Sequence, residues 1–300
     1  MKKLFNLVMV LLVFLGAFTQ AQVKAPVSVF ACEPEWGALA SEIGGHRVSV
    51  RTATTARQDP HHITARPSLI AAVRKADLVF CTGAGLEEGW LPVLLQKSGK
   101  KLQAGDKGHL MASNSVKHLE VPISLDRSLG HVHAEGNPHV HLNPHNIRII
   151  AKELAARLES LDNDQGPYYQ ARLAHFLERW DKAIVRWEAR AKNLKDMPIA
   201  VHHKNWAYLA DWLDLKQVLT LEPKPGVPPT VSHLEQVLRS LKTQPIKLII
   251  HAPFEDPKPS HWLSKKAQVP EVCLPFTVGG NKRATTLELL FDDTLDRLTL

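Results

Sequence analysis

VSVFACEPEWGALASEIGGHRVSVRT, residues 27–52, reads as a β-rich run, a helical stretch and a second β-rich run. Val27–Cys32 and Val48–Thr52 are dominated by residues that suit a pleated, half-buried surface, and Trp36–Ile43 between them is helical. That order describes a βαβ unit with parallel strands. The pattern continues outward through helical Pro67–Lys75, β-rich Leu78–Thr82 and helical Leu86–Gln96. A second alternating set starts at Pro198: IAVHH, Trp206–Leu213, Val218–Leu221, His233–Leu241, IKLIIHA, Ser260–Lys266, VCLPF and a final helix over Leu287–Leu298. The expected fold class is α/β, with two lobes that are each a mainly parallel sheet flanked by helices.

Between the two sets the texture changes. Asn143 and Pro144 form an N-cap and first-turn pair that opens a helix from about His145 to Leu161. After Asp162-Asn163-Asp164-Gln165-Gly166, apolar residues recur at Leu173, Phe176, Trp180, Ile184, Trp187 and Ala191, spacings of three and four that draw one stripe. This predicts a second helix of about 25 residues, near 40 Å long at about 1.5 Å per residue. It is read as a strut joining the halves, with an N-terminal lobe over 22–164, the linking helix over 165–195 and a C-terminal lobe over 196–300.

Lys2 and Lys3, the uncharged run Leu4–Phe18 and the small or polar residues through Ala21 have the order of a secretory signal, giving a signal peptide over 1–21. The apolar run is shorter than the roughly 20 residues of a membrane span. A periplasmic location is expected for the mature chain. Removing Lys2 and Lys3 takes the formal charge from +7 to +5, and the other basic residues are scattered, so no nucleic-acid groove is indicated. Cys32 and Cys81 both close β-rich runs, which makes a bridge between them one outcome and leaves Cys273 over. Thiols as metal ligands are the other outcome, with no CxxC spacing to support it.

Sixteen His against three Tyr is the compositional anomaly. The histidines concentrate in Asp59-Pro60-His61-His62, in the run from His131 to His145, and in His202-His203. Open α/β sheets bind ligands where loops converge beyond the carboxyl ends of strands. His203 closes a strand and His61 follows one, so both fall at that edge. Neutral imidazole suits zinc, binding at about 2.0–2.1 Å.

The segments DPHHITARPS (59–68), NPHVHLNP (137–144) and HKNWAYL (203–209) resemble the three signature stretches of the cluster A-I metal-binding proteins of ABC importers for zinc or manganese. The resemblance runs over essentially the whole mature chain. It implies two α/β lobes joined by a long helix, one metal between them, only slight lobe tilt on binding, and docking onto an ABC importer permease in the cytoplasmic membrane. Carried over by position, the metal ligands are His61, His139 and His203. A His at the third position points to Zn(2+) as the transported ion, a carboxylate there to manganese.

Two departures stand out. His141 takes the place of the usual Trp, and Leu274–Gly280 replaces the Leu-Asp-Pro stretch whose Asp is commonly a ligand. The fourth position is therefore open to water or to another residue: Glu33 or Glu35 after the first strand, Glu255 or Asp256 after IKLIIHA, or His62. Glu33 is the leading choice. His131 and His133 resemble a very short version of the His-rich loop of zinc-binding members. The expected protein is a monomeric receptor and no enzyme. A manganese receptor of the same family is the first alternative, and an exported zinc hydrolase is the alternative from another class, although the chain has neither HExxH nor GxSxG. A zinc chaperone or adhesin on the same fold is a further alternative.

Overall fold

The computed structural model describes residues 25–99, 102–123 and 133–299. The expected signal peptide and His131 lie outside them. The first lobe contains β1 (Val27–Ala31), α1 (Pro34–Gly44), β2 (Val48–Thr52), α2 (Pro67–Lys75), β3 (Leu78–Cys81), α3 (Leu91–Ser98) and β4 (His109–Met111). Two helices follow, α4 (Pro144–Leu161) and α5 (Gly166–Ala191). The second lobe contains β5 (Pro198–Val201), α6 (Ala207–Leu213), β6 (Lys216–Thr220), α7 (Val231–Ser240), β7 (Leu248–His251), α8 (Pro257–Ala267), β8 (Glu271–Cys273) and α9 (Leu287–Leu298).

Both sheets are parallel and have the same plan, β2-β1-β3-β4 and β6-β5-β7-β8. The expected α/β architecture is therefore present in both lobes. Inner strands β3 (LVFC) and β7 (LIIH) are buried at every residue, which is why LVFC and LII read as unbroken apolar runs, whereas edge strands β2 and β6 are half-covered. In each lobe the chain passes from the first strand to one neighbour and then to the other. That reversal leaves a crevice beyond the carboxyl ends of the strands.

The α5 stripe is real: Leu173, Phe176, Trp180, Ile184, Trp187 and Ala191 are all buried. Its ring pairs reach the second lobe, with Trp180 and Trp187 at 5.6 and 5.0 Å from Phe291 of α9, and Trp180 Nε1 donates to the Pro144 carbonyl at 2.8 Å. One apolar cluster runs from Val27 and Trp36 in the first lobe through α5 to Leu274 and Phe291 in the second. On its surface, Arg179 pairs with Glu42 of α1 and Glu288 of α9, both at 2.6 Å. At the start of α4, Asn143 caps by accepting from His145 N, as its pairing with Pro144 implied.

Three details differ from the sequence reading or complete it. Helix α3 begins at Leu91, not near Leu86, because Trp90, with φ of −143°, stands outside helical backbone angles as its N-cap; before it, Gly83, Ala84 and Gly85 form a turn with positive φ (80°, 49° and 80°). The Glu87 carboxylate stabilises this turn by accepting from the Thr82 and Gly83 amides at 2.7 and 3.0 Å. The three-residue β4, HLM, is too short to show a period in the sequence. Because β1 pairs with β3, Cys32 and Cys81 stand at adjacent strand ends, and they form a disulfide; Cys273 is free. Among the described residues no helix is long and apolar enough to cross a membrane.

Replacing Trp180 by Ala should cost about 3–5 kcal/mol of stability, since it empties the point where α4, α5 and α9 meet. Denaturant unfolding measures this, and a loss below about 1 kcal/mol would show that the seam is not a shared core.

Candidate metal centre

His61, His139 and His203 come together. Each offers one nitrogen, and these three atoms lie within 4.8 Å of one another. A common point then stands within about 2.8 Å of all three, which a small inward movement closes to a zinc–nitrogen bond of about 2.0–2.1 Å. His61 and His139 belong to first-lobe loops and His203 follows β5 of the second lobe.

Each ring is oriented differently. Asp59 accepts from the His61 backbone amide at 3.0 Å and lies 2.7 Å from His61 Nδ1. Trp90 anchors the same loop through the Pro60 carbonyl at 2.9 Å. With Nδ1 committed to Asp59, Nε2 of His61 is the nitrogen left to bind. His203 Nδ1 lies 2.6 Å from Glu222 Oε2, and Glu222 follows β6. These are the carboxylate–imidazole pairs that set ring orientation and raise basicity at metal sites. His139 has no such carboxylate. Asn137 Oδ1 accepts from its amide, its ring meets Phe276 edge-on at 5.2 Å, and its buried Nδ1 has no partner among the described residues.

Burial, reinforced by the charges of the neighbouring histidines, holds the His139 pKa well below the usual imidazole value. This ring therefore stays neutral and ready to coordinate. His203 goes the other way: burial lowers its pKa, but the hydrogen bond and charge of Glu222 outweigh burial and leave it raised. Burial pulls His202 down to about 4. The Asp59 carboxyl, despite burial, is held below the usual carboxylate range by its bonds to His61 and His62.

The fourth-ligand expectations fare unequally. Glu33, the leading choice, is not in the set: it is buried inside the first lobe, accepting from Thr82 Oγ1 at 3.0 Å beside Glu87. Its position just after β1 points it down among the strand ends instead of outward. Glu35 accepts from Thr277 and lies 3.2 Å from His141 Nδ1, close but off the line of a hydrogen bond. Asp256 caps α8 by accepting from Lys258 N at 3.1 Å. His62 is 60% exposed and bonds to the second oxygen of Asp59. Glu255 lines a 280 Å³ cavity beside His61 and His203, but its two oxygens accept from Ala252 N and Asn205 Nδ2, and burial pushes its pKa up to about 8. A larger cavity of 830 Å³ along β6 has no histidine in its wall.

The departures from the signature pattern now have a structural account. His141 Nε2 lies 3.0 Å from the Phe276 carbonyl, and the Phe276 ring packs on both His139 and His141. Leu274–Gly280 thus brings an aromatic ring and a hydroxyl to the place where a carboxylate was expected, and uses them to fasten the lobes. The sequence reading did not place His133 against a ligand. Its Nε2 lies 3.2 Å from His61 Nε2.

The family pattern described as zinc-uptake complex component A, periplasmic (ZnuA), matches residues 29–299. The chain belongs to this family of cluster A-I metal-binding proteins of ABC importers. It is similar to the metal ABC transporter substrate-binding lipoprotein SloC of Streptococcus mutans, 24% identical over 286 residues, covering 92% of this chain and 90% of SloC. The manganese ABC transporter substrate-binding lipoprotein scaA of Streptococcus gordonii is also 24% identical, over 294 residues, with the same coverages. The crystal structure of ZnuA superposes with a TM-score of 0.74 at 20% identity, covering 91% of this chain and 99% of that one. As a member, the chain is a periplasmic metal-binding protein of an ABC importer and not an enzyme, which sets aside the hydrolase alternative.

Glu222→Gln keeps the shape but removes the charge that orients His203. Metal affinity should fall about 10- to 100-fold. Calorimetric titration measures it; an affinity within twofold of the parent would show that Glu222 does not act on the site.

Proposed function

We propose that this protein captures zinc through His61, His139 and His203 and hands it to the permease of its importer. The observation that carries this reading is the convergence of the three ring nitrogens to within 4.8 Å. Neutral imidazole is a borderline donor matched to zinc, while oxygen donors suit manganese, and nitrogen sites hold zinc more tightly than manganese across the divalent series. Asp59 and Glu222, the carboxylates bonded to these rings, sit on outer nitrogens and are spent on orientation. We further propose that the receptor acts as a monomer, with lobes over 22–164 and 196–300 and the helix over 165–195 between them.

A manganese receptor is the second reading. It draws on the manganese transporter named among the similar proteins and on Glu255, which lines the cavity beside His61 and His203 and, once deprotonated and freed from Asn205, would give a mixed nitrogen and oxygen set. Metal-free protein titrated with each ion separates the two. Zinc binding at least about 100-fold tighter than manganese supports the first reading; manganese equal to or tighter than zinc overturns it.

The same titration has a pH dependence with a definite sign. Protons compete for coordinating nitrogens, so zinc affinity is full above the raised pKa of His203 and falls as pH drops through it. His139, already neutral, gives up no proton on binding. Affinity should therefore be weaker at pH 5.5 than at pH 7.5, with fewer protons released than the number of imidazole ligands. Calorimetry in buffers of different ionisation enthalpy counts them, and equal affinity at both pH values would contradict an imidazole site.

A further inference from the structure

Three imidazoles leave one corner of a zinc tetrahedron to fill, and the structure holds a residue at the right spacing for it. His133 Nε2 lies 3.2 Å from His61 Nε2, with ring centroids 5.2 Å apart. Two nitrogens bound to one tetrahedral ion at about 2.0–2.1 Å stand about 3.3 Å apart. The separation between these two is thus already that of neighbouring ligands. Since Asp59 occupies His61 Nδ1, the nitrogen that His133 meets is the one His61 has for the ion.

Independent features seat the ring there. His133 shares the wall of a 350 Å³ cavity with His139 and His203. The Gly136 amide donates to the His133 carbonyl at 3.1 Å, which turns the chain directly into the Asn137-Pro138-His139 stretch. On the other side runs Gly85, with φ of +80°, where a Cβ would stand 3.1 Å from His133 Nδ1. A side chain at position 85 would crowd the ring. The carboxylates weighed for the fourth corner are engaged elsewhere, as described above.

We propose that His133 is the fourth zinc ligand, completing a closed site of four imidazoles. This rests on the zinc reading of the centre. His133 stands outside the trio whose atoms lie within 4.8 Å, so it joins by a ring movement as the ion draws the nitrogens in. The proton accounting is simple. With His61 donating its Nδ1 proton to Asp59, the N–H between the two rings belongs to His133 Nε2. Coordination transfers that proton to His133 Nδ1, freeing the Nε2 lone pair without change of net charge on the ring.

Zinc-edge X-ray absorption of the full mature chain, alongside calorimetry, tests this. The parent should fit four imidazoles, and His133→Ala should fit three plus an oxygen donor, with zinc affinity at least about 10-fold weaker. His203→Ala should lose more than His133→Ala, and His261→Ala, an exposed residue on α8, should match the parent in both readouts. A parent spectrum of three imidazoles and one oxygen, or a His133→Ala protein with parental spectrum and affinity, overturns the assignment of His133 alone. Parent protein that takes up no zinc overturns the zinc reading, and this proposal with it.

Discussion

An ion site divided between two lobes depends on the distance between those lobes, and here that distance is set by apolar packing along α5. Trp180 and Trp187 touch Phe291 of α9 while Phe176 and Tyr169 continue the same buried stripe toward the first lobe. The cluster has no break at the lobe boundary. Interiors packed at this density resist deformation. His203 is therefore presented to His61 and His139 by a scaffold that costs much to bend, and the ligands need only fine adjustment to meet an ion.

Electrostatics adds a second constraint on that geometry. Each of the three rings reaches a coordinating state by a different route. His139 is kept neutral chiefly by burial, with the neighbouring histidines adding to it. His61 and His203 are turned by carboxylates on their outer nitrogens, and at His203 Glu222 also raises the basicity of the ring. Basicity costs affinity at low pH, because the Glu222 that strengthens His203 as a ligand also strengthens its hold on a proton. The arrangement therefore trades acid tolerance for strength at neutral pH.

The architecture was largely legible because its signals are periodic. The α5 stripe, the largely apolar inner strands and the Asn143-Pro144 cap each report a local rule, and each was found where that rule put it. The three histidines were legible through motif position. What was not legible depended on where a side chain points after the backbone has turned. Glu33 and Glu35 sit one residue apart from each other's neighbour at the same strand end, yet one turns to Thr82 and the other to Thr277 of the opposite lobe. Asp256 and His62 were likewise claimed by local partners, an N-cap and the spare oxygen of Asp59. Sequence spacing carries no record of such competition. The meeting of His133 with His61 joins positions 72 residues apart, and only the folded path of both loops brings it about.

The distribution of ligands between lobes bears on release. Of the three converging histidines, His61 and His139 are carried by the first lobe and His203 alone by the second, so with the proposed ligand set a change in lobe separation would act on a single metal–nitrogen bond. Polar contacts between the lobes near the site are specific: Asn137 Nδ2 donates to the Lys204 carbonyl, Tyr208 donates to the Asn137 carbonyl, and His141 meets the Phe276 carbonyl. All three hold the stretch that carries His139, and the first also holds the residue after His203. A permease that competed for those few groups would loosen the second lobe's hold without disturbing the α5 core. The first lobe would then keep the ion with fewer nitrogens, a weaker state from which transfer is easier. If the three histidines hold the ion as proposed, capture and release on this scaffold would differ by one imidazole, a smaller free-energy step than opening the whole cleft.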